Sequence, residues 1–222
     1  MKTLMLRVGL PVVAWTFLMA STSWASPIFV DNFSFETLPD GSLPFLCGLG
    51  CSFSQSVSGI PGWIPTGTYT GQFQPGSASG NTAYFNSVPD GITVAYTDNG
   101  SISQTVAPLV QLGLTYTLQV DVGVRNDLGG DPGTEALVIN GNTYLATGTL
   151  PAPGGWSTFT ATYTGLSADV GLPITILLAS GSSQADWDNI RLNDSTAPEP
   201  ATGALMGLAA LAFAGILRRR RA

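Results

Sequence analysis

Between Ser26 and Ala197 the chain alternates apolar and polar residues and lacks helical spacing. Tyr116, Leu118, Val120, Val122 and Val124 fall on one side of segment 115–124, with Thr115, Thr117, Gln119 and Asp121 on the other. That period of two is the pattern of a strand with one covered face and one wet face. Segment 156–164 repeats it, setting Phe159, Ala161 and Tyr163 against Thr158, Thr160, Thr162 and Thr164. Segments 173–180 and 187–192 predict two more strands. Residues 137–139 and 143–146 flank Asn140-Gly141-Asn142; Asn-Gly accepts the positive φ angles of a tight turn, so these segments predict a hairpin. The Gly/Ser/Pro-rich stretch 39–80 carries few strand signals and reads as long loops. Roughly eight to ten short strands divided by turn residues predict an antiparallel all-β sandwich, in which a second sheet covers the apolar faces of the first.

The two ends break this pattern. Lys2 and Arg7 accompany an apolar run from Val8 to Ala20, and Ser23-Trp24-Ala25 offers small residues for cleavage after Ala25. Residues 1–25 therefore read as a secretory signal peptide. At the other end Pro198-Glu199-Pro200 precedes an almost wholly apolar segment, 201–217, and then Arg218-Arg219-Arg220-Arg221. At about 1.5 Å per residue this segment spans roughly 26 Å, enough for one transmembrane helix. The arginines behind it resist translocation and hold the preceding chain on the outer side. The tail, 198–222, resembles the PEP-CTERM sorting signal of Gram-negative bacteria. The resemblance implies a membrane protease, exosortase, that recognises Pro198, Glu199 and Pro200. It also implies a precursor held transiently in the inner membrane and a final place at the cell surface or in the extracellular matrix. Residues 26–197 are the cargo, one domain.

Removing the ends changes the charge. The whole chain carries −6, but only Arg125 and Arg191 of its eight bases lie in 26–197, against thirteen of its fourteen acids, so the domain carries −11. Such a surface repels nucleic acid; it suits divalent cations and neutral partners, and it equally serves solubility. Histidine is absent, which removes the commonest acid–base catalyst at neutral pH. No catalytic triad or phosphate-binding loop is present, and thirteen acids make carboxylate pairs too common to identify a glycosidase. The expectation is a domain that is not an enzyme. Cys47 and Cys51 cannot complete a zinc site by themselves. In an exported chain they predict a small disulfide loop, whose loop entropy contributes only roughly 2 kcal/mol.

One series of short elements runs almost the length of the domain: Val30-Asp31-Asn32-Phe33-Ser34-Phe35-Glu36, Pro61-Gly62-Trp63, Ser101-Ile102-Ser103-Gln104-Thr105, Tyr116-Thr117-Leu118 and Asp186-Trp187-Asp188-Asn189-Ile190-Arg191-Leu192. It resembles the galactose-binding-like jelly-roll domains, which include several families of carbohydrate-binding module. The resemblance implies first and last strands lying side by side. It also implies a structural calcium at their ends, held by Glu36 and Asp188 with backbone carbonyls, and Asp31 as a third candidate. Asp188 shares parity with Ile190 and Leu192, which points it to the covered side, where a carboxylate requires a cation or amide donors. Aromatic rings beside polar groups suit the faces of sugars. Candidates are Trp63, Tyr69 and Tyr84, with Phe73 and Phe85 nearby; Trp187, of opposite parity to Ile190; and Arg125 and Asp127 in the polar loop 125–135. Each has a plainer alternative, Trp63 as filling at the sandwich edge and the loop as a solvated turn. The expectation is a surface domain binding carbohydrate, such as an exopolysaccharide. A structural biofilm protein without a sugar ligand is the alternative, and a polysaccharide hydrolase comes third.

Overall fold

The computed structural model describes residues 25–76, 84–129 and 131–196. The segment read as a signal peptide, apart from Ala25, and the sorting tail with its apolar segment lie outside them; among the described residues no helix is long and apolar enough to cross a membrane. The described residues form β1 (Ala25–Ile28), β2 (Phe45–Leu46), β3 (Ser52–Phe53), β4 (Ile64–Thr66), β5 (Tyr69–Gln74), β6 (Val94–Leu109), β7 (Leu114–Gly123), β8 (Thr134–Ile139), β9 (Asn142–Leu145), β10 (Trp156–Thr164) and β11 (Pro173–Thr196). Every pairing is antiparallel, so the all-β architecture follows the alternation.

Two long strands organise the sandwich. Residues 100–109 of β6 pair with residues 173–180 of β11 between β4 and β8, and β9 extends that layer. Their other halves pair within a second layer, ordered β10-β7-β11-β6-β5-β3-β2. The chain crosses between layers where both strands bend: at Asn99, with φ of +60°, and at the register shift between Ser180 and Gln184. Alternation alone splits β11 into two strands and assigns no strand to most of β6, because Asp98-Asn99-Gly100 and Gly181-Ser182-Ser183 resemble turns. They are bends within continuous strands. The stretch read as loops, 39–80, likewise contains β2 to β5, too short or too Gly- and Pro-interrupted to alternate clearly. β1 pairs with β11 from Ile28↔Leu192 to Ala25↔Ser195, so the first and last strands are neighbours. Asn140 and Gly141, with φ of +53° and +75°, make the two-residue turn between β8 and β9.

Between the layers, Leu118, Val120 and Val122 from one sheet pack with Ile102, Leu137, Ile174, Ile176 and Leu178 from the other. Ala185, Trp187, Ile190 and Leu192 join this core. A strand without interruption cannot put both 187 and 190 on one face. The register shifts between Asp188 and Arg191, and Asn189 takes a φ of +52°, a bulge that reverses the parity. Two expectations fail here. Trp187 is fully buried in the core, with no face for a ligand, and Asp188 points away from Ile190 rather than with it.

Candidate functional site

Cross-strand register assigns side chains to the other face of the larger layer. Tyr69 lies opposite Asp98, and Asp98 opposite Gln184; in the next row Gly71, Tyr96, Asp186 and Gly123 lie side by side; Phe73 lies opposite Val94. Residues directly opposed on adjacent strands share a face, so these groups converge on the side away from the main core. Here Phe73, Tyr84, Phe85, Val94, Tyr96 and Cys51 form a second apolar cluster. Above it opens a cavity of about 240 Å³, walled by Phe53, Tyr69, Phe73, Tyr84 and Tyr96 with polar groups from Gln55, Asp98, Arg125 and Gln184.

Arg125 is pinned within this wall. Its guanidinium lies 4.6 Å from the Tyr84 ring centre and 5.3 Å from that of Phe73. Nε and Nη2 donate to the two carboxylate oxygens of Asp127, at 2.9 and 2.7 Å, and Nη1 donates to Gln184 Oε1 at 2.8 Å. Gln184 turns its amide the other way, donating from Nε2 to Asp186 Oδ1 at 2.8 Å. Asp186 therefore sits next to the lining, 1% exposed. Burial pushes its carboxyl up to about 7, against smaller downward effects from the Gln184 hydrogen bond and the Arg125 charge. Tyr96 Oη donates to the Ser54 carbonyl at 2.8 Å, and burial raises its hydroxyl further above the ordinary tyrosine range. Asp186 is thus the group beside the cavity best suited to hold and release a proton near neutrality.

The sequence-derived candidates divide clearly. Tyr69, Tyr84 and Arg125 meet at the cavity, and Asp127 fixes Arg125. Trp63 does not: it is 5% exposed, packs on Phe35 at 5.4 Å and donates from Nε1 to the Asp31 carbonyl at 3.0 Å. Trp187 donates from Nε1 to the buried carboxyl of Glu135 at 2.6 Å. Cys47 and Cys51 are disulfide-bonded. Glu36 Oε1 accepts from the amides of Ile92 and Thr93 at 2.9 and 2.7 Å, while Asp188 accepts from those of Asp90 and Asn189 at 2.9 and 2.7 Å. Burial pushes the Asp188 carboxyl up to about 8, and the neighbouring charges of Asp90 and Glu36 add to the rise. Among the described residues no three acidic or other metal-binding side chains converge, so a calcium ion at Glu36 and Asp188 would be completed by backbone carbonyls and water. Asp31 instead packs against Gly62, and its backbone exchanges hydrogen bonds with Gln104.

Sequence reasoning missed Asp186, Gln184, Tyr96 and Asp98 as site residues. A signal existed for one of them: in Asp186-Trp187-Asp188, a core tryptophan forces both neighbours onto the opposite face.

Comparison with known proteins follows this geometry. Residues 26–193 match the family model HpiC1-like, described as HpiC1 cyclase, and residues 196–221 match the PEP-CTERM protein-sorting motif. An apo cyclase from Fischerella sp. superposes with a TM-score of 0.60 at 21% identity, covering 79% of this chain and 98% of the other. A cyclase from Fischerella sp. TAU in complex with 4-(1H-indol-3-yl)butan-2-one gives 0.56 at 23%, covering 78% and 98%. A CBM22-1 xylan-binding domain from Paenibacillus barcinonensis aligns more weakly, at 0.41 and 12%, covering 61% and 87%. No curated protein matches the chain. The sorting motif implies export to the surface of a Gram-negative bacterium and processing by exosortase. The cyclase family overturns the expectation that the domain is not an enzyme. Missing histidine, the lack of a triad or phosphate loop and an undistinguished set of acids pointed away from catalysis, yet a carboxyl lifted by burial can serve acid chemistry without histidine.

Proposed function

The chain belongs to the HpiC1-like cyclase family, and from that membership we propose that its exported domain is an acid-initiated cyclase for a small, largely apolar, uncharged substrate. Asp186 is the proton donor. It protonates a carbon of the substrate's π system; a second π bond of the same molecule attacks the cation and closes a ring; loss of a proton restores the acid. Atoms and charge balance, and the product is an isomer of the substrate.

The observation that carries this reading is a buried carboxyl one hydrogen bond behind Gln184 in the lining of an aromatic-walled cavity, its pKa pushed up to about 7 by burial. Ring faces attract a developing cation. Charge supports the substrate class. The described domain has two bases, and both are engaged: Arg125 with Asp127 and Gln184, Arg191 with Asp121 at 2.9 Å. Neither is free to grip an anionic leaving group such as a diphosphate, which favours an uncharged substrate activated by protonation. The indole ligand named for the Fischerella sp. TAU cyclase suggests an indole carrying an alkenyl chain as the first substrate to try.

The test uses the full chain and a panel of 3-alkenyl indoles, scored by mass spectrometry and NMR for a ring-closed product of unchanged mass. Asp186→Asn should lower turnover by about 100-fold or more, the range of a lost general acid, while binding 4-(1H-indol-3-yl)butan-2-one as tightly as wild type. Undiminished turnover by Asp186→Asn would contradict the assignment.

A further inference from the structure

We propose that the Cys47–Cys51 disulfide is a positioning element of this cavity, so that the site is completed only where the pair is oxidised. The proposal rests on reading the cavity as the substrate site.

The disulfide closes a ring of five residues across β2 and β3, a hairpin of only two residue pairs, Phe45↔Phe53 and Leu46↔Ser52, at the sheet edge. So short a hairpin has little stability of its own. The ring is not a remote surface staple. Cys47 lines the cavity, and Cys51 is 1% exposed within the cluster of Phe73, Tyr84 and Tyr96. Inside the ring, the Gly48 carbonyl accepts the Tyr84 hydroxyl at 3.1 Å, and Cys51 Sγ lies 3.3 Å from Tyr84 Oη. The ring therefore holds the free end of Tyr84. That tyrosine presents its face to Arg125, and its ring packs on Phe73 at 5.3 Å with an 82° interplanar angle. A chain of contacts thus runs from the disulfide through Tyr84 to Arg125 and Gln184, and from Gln184 to Asp186.

Reduction would break the S–S bond. A dithiol supplies two electrons and two protons, leaving two cysteine thiols and becoming a cyclic disulfide. The freed hairpin would release the Gly48 carbonyl from Tyr84 and loosen the wall. Export carries the chain to a compartment where disulfides persist, whereas the cytosol keeps thiols reduced. The site is consequently incomplete until the chain is outside.

The experiment measures binding of 4-(1H-indol-3-yl)butan-2-one by calorimetry to the full-length chain in detergent. It compares the oxidised chain, the chain reduced with dithiothreitol, Cys47→Ser/Cys51→Ser, and Tyr84→Phe in both redox states. Reduction or the double substitution should weaken binding about ten-fold. Tyr84→Phe, which keeps the ring but not the hydroxyl anchor, should weaken oxidised binding and then respond little to dithiothreitol, the non-additivity expected of groups acting through one contact. A disulfide that only stabilised the fold would weaken wild type and Tyr84→Phe equally on reduction; that result, or equal affinity of oxidised and reduced wild type, would overturn the positioning role alone. Absence of binding by the oxidised wild type would overturn the cavity assignment and the positioning role together.

Discussion

Asp186, Asp188 and Glu135 keep their carboxyls at 1%, 0% and 2% exposure, and burial pushes them up to about 7, 8 and 7. Burial opposes the charged form, so the fold prefers each group neutral. Ordinary carboxyls in the unfolded chain ionise near 4. Below that value both states are protonated and the stabilising preference is fully present. As pH rises through 7 and 8 the folded groups must ionise in place, and the preference is lost. Thermal unfolding should therefore show stability falling as pH rises from about 4 to 8, with a melting temperature lower by roughly 10 °C or more at pH 9 than at pH 4. Glu135→Gln, which keeps an acceptor for Trp187 Nε1, should flatten part of that slope; an unchanged slope in this variant would exclude Glu135 as a contributor. None of this was legible from thirteen acids in a row of letters. A carboxyl becomes chemically distinct only through its neighbours, and Asp186 acquires them from β6, β7 and the Gln184 side chain.

Strand β11 carries both the core and the site, and the bulge at Asn189 allows it to do so. Trp187 faces the core while Asp186 and Asp188 lie on the opposite face of the sheet, also buried; beyond Asn189, Ile190 and Leu192 return to the core. Asn189 holds its left-handed backbone while donating from Nδ2 to Asp121 Oδ2 at 2.8 Å, and the Ile190 amide donates to the Phe33 carbonyl at 2.8 Å. Asn189→Val should destabilise by about 2–3 kcal/mol, from the left-handed penalty and the lost hydrogen bond. Asn189→Gly should cost less, because glycine accepts the angle. Urea unfolding of the two variants separates them; equal losses would mean that backbone conformation is not what Asn189 supplies. Alternation made β7 and β10 readable from sequence, since neither contains a bulge. It failed at β11, where one inserted residue reverses every later side chain, and at β6, where Asn99 bends the strand between layers. Tyr69, Tyr84 and Arg125, named from sequence, line the cavity, where rings and a guanidinium pack together. Trp63 and Trp187 lie in the core instead, since a large ring fits a core as readily as a binding face.

The chain joins a sorting motif to a cyclase-family domain. Replacing Pro198-Glu199-Pro200 with alanines should leave it uncut in cells that contain exosortase, visible as full-length protein on immunoblots of cell fractions; normal shortening would contradict recognition of that tripeptide. A net charge of −11 on residues 26–197 suits a soluble exported domain, and it leaves acid chemistry to the few carboxyls the fold withdraws from water. The proposed reaction depends on one of them. The pH dependence of kcat/KM for ring closure, followed from pH 5 to 9 in wild type and Asp186→Asn, asks this directly. Activity should be highest at low pH in that range and fall above an apparent pKa near 7 as Asp186 ionises, with Asp186→Asn nearly inactive throughout. A flat profile, shared by an active Asp186→Asn chain, would show that the proton comes from elsewhere.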